Sequence, residues 1–367
     1  METNYRETLQ ADFDAFDISE ELGFILEEPL THLPDYYRVW MDLANNLAHL
    51  IESRKLRDLV HKVTMPVLSP HLLSNHRELR LAHLALGFIC MGYVWQEGQH
   101  EPAQILPKAL AWPYWLISRR LGLPPILTYA DSVLANWKLK DPTGYTIFLV
   151  PFIKFFLTVA DALARSSTYS QKHTNSSDIA FLNFRITTTH CNPLWTKHNP
   201  MLPRGLLYEG VSNEPILLSG GSAAQSSAIQ CFDALLCIQH EGETGAFLTR
   251  MRDYMPPAHR QLIETLSVCP SLRDFITTCS SSDLCQAYNS CVSALVDLRS
   301  YHLNTVAKYV LVPGNRAISM GCPLRGVGTA LNTTGTGGSD LMVFLKSVRN
   351  TTQRALILER PTTSRET

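Results

Sequence analysis

The chain has 367 residues, 45% hydrophobic and 18% charged, with a formal net charge of -1. That length permits two domains, the composition excludes a disordered chain, and the charge excludes a global field for nucleic acid or acidic lipid. Nine cysteines occur without a CxxC pair, which speaks against a disulfide frame or a zinc site and fits reduced thiols in a cytoplasmic protein.

Met1–Asp17 is polar and acidic, so no secretory signal is expected. Pro34 and Asp35 open an amphipathic helix to about Ser53. Asn75 caps a second helix that runs through Trp95, with Leu79, Leu86 and Cys90 among its apolar positions. Gln96–Pro107 reads as polar loop. Gly122, Pro124 and Pro125 make a rigid turn that delivers Tyr129 into a helix ending near Lys140, before Asp141-Pro142. A boundary near Gly144 divides a small N-terminal domain, 1–144, from a larger one, 145–367. Tyr145–Ala164 is nearly all apolar and about long enough to span a membrane, but Pro151, Lys154 and Asp161 favour a buried core helix. Arg165–Asp178 has the Ser/Thr-rich composition of a linker.

Gly220-Gly221-Ser222 precedes a helix through about Gln239, with Ser222 as its N-cap. Met255-Pro256-Pro257 ends one helix and starts the next. One long helix follows from Asp283 to about Leu311. Leu284, Tyr288, Cys291, Leu295, Leu298, His302, Val306 and Tyr309 share a face, and His302 is its one polar member. A buried imidazole needs partners for both ring nitrogens. His302 is either a satisfied core residue or a haem ligand, and no CxxCH occurs, so such a haem is non-covalent. Arg299, one turn earlier, is either a solvated charge or a forked donor to a propionate. Gly335-Thr336-Gly337-Gly338 is a connector or a lid, and a last amphipathic helix follows. The chain reads as mainly all-α.

Six stretches together resemble the indoleamine 2,3-dioxygenases. They are Leu123-Pro-Pro-Ile-Leu-Thr-Tyr129-Ala-Asp-Ser-Val-Leu-Ala-Asn-Trp137, Leu207-Tyr-Glu-Gly210, Gly220-Gly-Ser-Ala-Ala-Gln-Ser-Ser227, Met251-Arg-Asp-Tyr-Met-Pro-Pro-Ala-His259, Leu298-Arg-Ser-Tyr-His302 and Gly335-Thr-Gly-Gly-Ser-Asp340. Each alone is weakly specific; all six in the family's order are highly specific. Gly92-Tyr-Val-Trp-Gln-Glu-Gly98 is similar to the second vertebrate paralogue or its fish relatives.

The resemblance implies a small helical N-terminal domain and a larger helical domain holding haem b, with His302 as the proximal iron ligand. Arg299, Asp233, Ser222 and Ala223 would lie at the cofactor. Tyr129, Ser132 and Val133 would wall the indole pocket, with Gly220 and Gly221 over the haem edge. Arg185 would meet the substrate carboxylate and Thr336 would close over its polar end. The implied reaction opens the indole ring of L-tryptophan with O2 to give N-formylkynurenine, the first step of tryptophan catabolism. The expected protein is a cytoplasmic monomer with no membrane or nucleic-acid partner.

Between Asp141 and Gly205 the likeness falls away. Ala180 stands where the family has the aromatic that stacks on the indole, and after Ile186 a Ser-Gly pair is missing. His190 and His198 read as loop residues. This is either an authentic divergent isoform or a mistaken gene model, and agreement between local and global signals favours the latter. A second class of function, a haem-binding or signalling paralogue, would use Leu206-Leu-Tyr208-Glu-Gly-Val211 as a phosphotyrosine motif for an SH2-domain partner. Tyr114 fits that pattern poorly.

Overall fold

The structure, a computed structural model, describes residues 15–18, 24, 30–62, 65–97, 102–135, 205–279, 282–307 and 341–358. It is mainly helical, as expected. A 3-10 turn at Asp35–Tyr37 leads into α1 (Arg38–Asn45) and α2 (Leu47–Glu52), so the first helix breaks at Asn46. α3 (Leu56–Lys62) follows. α4 (His76–Trp95) has the expected bounds, because Asn75 accepts from the Glu78 amide at 2.9 Å. The Glu78 carboxylate in turn accepts from the Ser74 amide at 2.6 Å, a reciprocal cap.

The expected loop after α4 contains β1 (Ile105–Leu106), which pairs in parallel with β2 (Leu207–Tyr208). Glu209, just past β2, accepts from the Lys108 amide at 2.8 Å and so caps α5 (Lys108–Leu121). α4 packs along α5 and α1. These helices bury one core around Tyr37, Trp40, Leu86, Ile89 and Tyr114, and that core also takes in Leu206 and Tyr208 from beyond residue 144.

Gly122 ends α5 in the left-handed conformation, φ +65°. α6 (Tyr129–Ala135) starts at the expected residue; its expected end near Lys140 lies outside the described residues, as do the boundary near Gly144 and the segments 145–164 and 165–178. Ser222 caps only a 3-10 turn, Ala223–Gln225, and Ser226 caps α7 (Ser227–Leu235). α7 stops four residues before Gln239. Cys237 takes φ +56° there, and the Ile238 amide bonds back to the Asp233 carbonyl at 2.8 Å.

α8 (Gly242–Met251), α9 (Pro257–Val268), α10 (Leu272–Cys279), α11 (Ser282–Val306) and α12 (Leu341–Arg354) complete the described fold. α7 packs on α9 and α11 on α12. The stripe of α11 is rotated from its expected phase. Leu284 and Cys291 are exposed, while Tyr288, Val292, Leu295, Leu298 and Arg299 are buried. No described helix is long and apolar enough to cross a membrane.

Gly122 is doubly constrained, since a Cβ there would lie 2.4 Å from Pro257 Cγ at the start of α9. Gly122→Ala should therefore cost at least about 1–2 kcal/mol, the left-handed penalty before any clash. Urea unfolding checks it; an unchanged midpoint would show that the turn and α9 readjust freely.

Candidate functional site

Thr128-Tyr-Ala-Asp131 is a capping box: the Asp131 carboxylate accepts from the Thr128 amide and hydroxyl, both at 2.8 Å. Asp131 is fully buried, and a buried carboxylate must be paired. α4 supplies the partners. His83 Nδ1 lies 3.0 Å and Arg80 Nη2 3.6 Å from Asp131 Oδ1, and His83 Nε2 reaches the Pro124 carbonyl at 3.2 Å. Burial alone would raise the Asp131 pKa, but His83, Arg80 and the Thr128 amide outweigh it and hold the group at about 2. Tyr129 is thus fixed at the head of α6, with its phenol buried and its pKa pushed well up by that burial.

The glycine segment comes to the same place. The Tyr129 amide donates to Gln225 Oε1 at 2.9 Å, and Gln225 Nε2 donates to the Gly220 carbonyl at 2.7 Å. Gly221 lies against the 128–129 backbone, and the Ser219 amide donates to the Tyr254 hydroxyl at 2.7 Å. Ser222 and Ala223 are half-buried on the adjoining turn. Ser132 and Val133 share α6 with Tyr129, but their side chains, with all of Arg185 and Thr336, lie outside the described residues.

Tyr129 packs in one apolar cluster with Leu236, Ile238 and Ile276, and with Tyr288, Val292, Leu295 and Leu298 of α11. Beside it is a buried polar group. Arg299 Nη2 meets Asp233 Oδ2 at 2.6 Å, His240 Nε2 meets the same oxygen at 3.1 Å, and Arg299 Nη1 bonds the Thr352 hydroxyl of α12. Burial opposes the Asp233 charge, but Arg299 and His240 prevail and lower its pKa. Arg299 is therefore neither solvated nor free for a forked grip on another carboxylate. The turn at Cys237 is what folds His240 back onto Asp233.

His302 is half-buried one turn beyond Leu298. Burial, then the Arg299 charge, push its pKa down to about 4, so the imidazole is neutral at pH 7, the form in which histidine ligates a metal. Asp233 Oδ1 and His240 Nδ1 are buried with no hydrogen-bond partner among the described residues. A neutral imidazole, an adjoining apolar cluster and unsatisfied buried polar atoms fit a haem. No group of three or more His, Cys, Asp or Glu that could hold a bare metal ion occurs among the described residues.

Sequence reasoning missed Gln225, His240 and the His83–Arg80–Asp131 network. Of these only the Thr128-x-x-Asp131 box has a local signature. Tyr208 does not reach the surface: it is 1% exposed, and its hydroxyl donates to the Pro125 carbonyl at 2.6 Å. Phosphorylation there would require β2 to leave the core. Tyr114 is fully buried as well. The described cysteines are all free thiols.

The fold is helical and its residues fit a haem, and the comparisons make the class a haem-dependent oxidoreductase. The family model described as indoleamine 2,3-dioxygenase matches residues 12–177 and 194–355. Human indoleamine 2,3-dioxygenase 2 is 42% identical over 405 positions, covering 96% of this chain and 98% of that protein. Rat indoleamine 2,3-dioxygenase 1 is 41% identical, covering 94% and 95%. A protein named myoglobin from Haliotis madaka is 35% identical, covering 92% and 97%. The chain belongs to the indoleamine 2,3-dioxygenase family. The family match runs past residue 140 to 177 and resumes at 194, so the interruption is narrower than the motifs alone suggest. The human alignment spans 405 positions, more than the 367 residues of this chain, so it carries gaps in this chain.

The Asp131 carboxylate stabilises the fold only while ionised. Its folded pKa is below the unfolded value, so that contribution is present above about pH 4 and is lost as pH falls toward 2. Asp131→Asn should flatten this limb of the stability–pH curve by about 2 kcal/mol. Denaturant unfolding at several pH values checks it, and an acid limb of unchanged steepness would assign the loss to other groups.

Proposed function

We propose that this protein opens the indole ring of L-tryptophan with O2 to give N-formylkynurenine, feeding tryptophan catabolism. The observation that carries it is His302 on the helix that packs against Tyr129, one turn from the buried Arg299–Asp233 pair. Haem b, bound non-covalently, supplies the binding and activation of O2. The chain's own residues hold and orient. His302 ligates the iron. Asp233 offsets the Arg299 charge beside it, and Ser222 and Ala223 border the cofactor. Tyr129, Ser132 and Val133 wall the indole pocket, with the Gly220–Gly221 backbone over its edge. Arg185 pairs with the substrate carboxylate, and Thr336 closes over the polar end, excluding water. A small domain, 1–144, and a larger one, 145–367, frame this site in a cytoplasmic monomer.

His302→Ala should abolish stoichiometric haem while leaving the helical circular-dichroism signal intact. Haem titration followed at the Soret band decides it, and a variant that keeps one haem per chain with an unaltered band sinks the assignment. Thr336→Ala should lower N-formylkynurenine formation by about tenfold with haem content unchanged, because a closing loop orients substrate and does not hold cofactor. Parallel loss of haem and turnover would make that loop structural.

A further inference from the structure

Two segments assigned to the substrate pocket, the head of α6 and the glycine backbone, are joined by one side chain. Gln225 is 2% exposed. Its Oε1 accepts from the Tyr129 amide at 2.9 Å, and its Nε2 donates to the Gly220 carbonyl at 2.7 Å. The chemistry fixes the amide's orientation: a backbone N–H only donates and a carbonyl only accepts, so oxygen must face Tyr129 and nitrogen Gly220. Glutamate in this place keeps the first bond and loses the second; methionine, of similar length, loses both. In this buried place each lost partner leaves a backbone group unsatisfied.

The surroundings leave little play elsewhere. Asp131 holds the amide and hydroxyl of Thr128. A Cβ on Gly221 would lie 3.6 Å from Thr128 C and Tyr129 N, ordinary contact distance, so the glycine backbone already rests on the 128–129 backbone. Gln230 Nε2 fixes the far side of the turn, donating to the Ala224 and Leu248 carbonyls, both at 2.9 Å. The gap between Tyr129 and Gly220 is therefore set by the length and bonding of Gln225.

We propose that Gln225 is a positioning residue that sets the width of the indole pocket, and with it how tightly a flat aromatic amino acid is gripped. The proposal rests on the functional reading above.

The test compares wild-type holoenzyme with Gln225→Met and Gln225→Glu. Four quantities are read: haem per chain, amide exchange at Tyr129, KM for L-tryptophan and kcat. Gln225→Met should raise both the Tyr129 exchange rate and KM by about tenfold, with haem per chain unchanged and kcat within about twofold. Gln225→Glu should fall between the two, since it keeps the acceptor for the Tyr129 amide. Wild-type exchange and KM in both variants overturn the proposal, and so does a fall in kcat and haem with KM unmoved. If Gln225→Met does not fold, Gln225→Glu decides on the same readouts. A wild-type holoenzyme that does not turn over L-tryptophan overturns the functional reading and the pocket role with it, while Tyr129 exchange still decides whether Gln225 clamps the two segments.

Discussion

A carboxylate removed from water must be met by cations or N–H donors, or it is not ionised at all. The described fold buries two, Asp131 and Asp233, and much of the arrangement follows from meeting them. Asp131 draws Arg80 and His83 of α4 onto the first turn of α6. Asp233 draws Arg299 of α11 and His240 of the turn after α7, and Arg299 extends to Thr352 of α12. Apolar burial supplies the bulk of the driving force but tolerates sliding and rotation. The two acids remove that freedom, each fixing a helix against its neighbours at one point.

The second acid also ties down the helix that carries His302, since Asp233 pairs with Arg299 at 2.6 Å. Burial, and after it the Arg299 charge, keep the His302 imidazole in its neutral form. The surrounding cluster is apolar apart from these groups and the hydroxyls of Tyr129 and Tyr288, the latter donating to the Leu236 carbonyl at 2.7 Å.

What was legible in the sequence had a local cause. The bounds of α4 were readable because Asn75 caps it in the sequence, and the start of α6 because the Gly- and Pro-rich turn precedes Tyr129. The helix of His302 was readable, but its phase was not. Apolar periodicity favoured Leu284 and Cys291, whereas the buried side runs through Val292 and Arg299, where Arg299 meets Asp233, 66 positions away in sequence. Helix propensity likewise extended α7 to Gln239, where the hydrogen bond that closes the Cys237 turn ends it at Leu235. Gln225 and His240 matter through partners distant in sequence or through a turn that no composition rule marks.

The parallel bridge between Ile105–Leu106 and Leu207–Tyr208 has a consequence for how this family changes length. With α6 anchored by Asp131 and β2 by the bridge and the Glu209 cap, both ends of the connection spanning 136–204 are fixed independently of its content. The entropy of closing a chain between fixed points varies only as the logarithm of its length, about 0.6 kcal/mol per doubling. A change in the length of a flexible connection between two such anchors would therefore cost the frame little. The two anchors thus hold the helical frame together whatever the sequence between them.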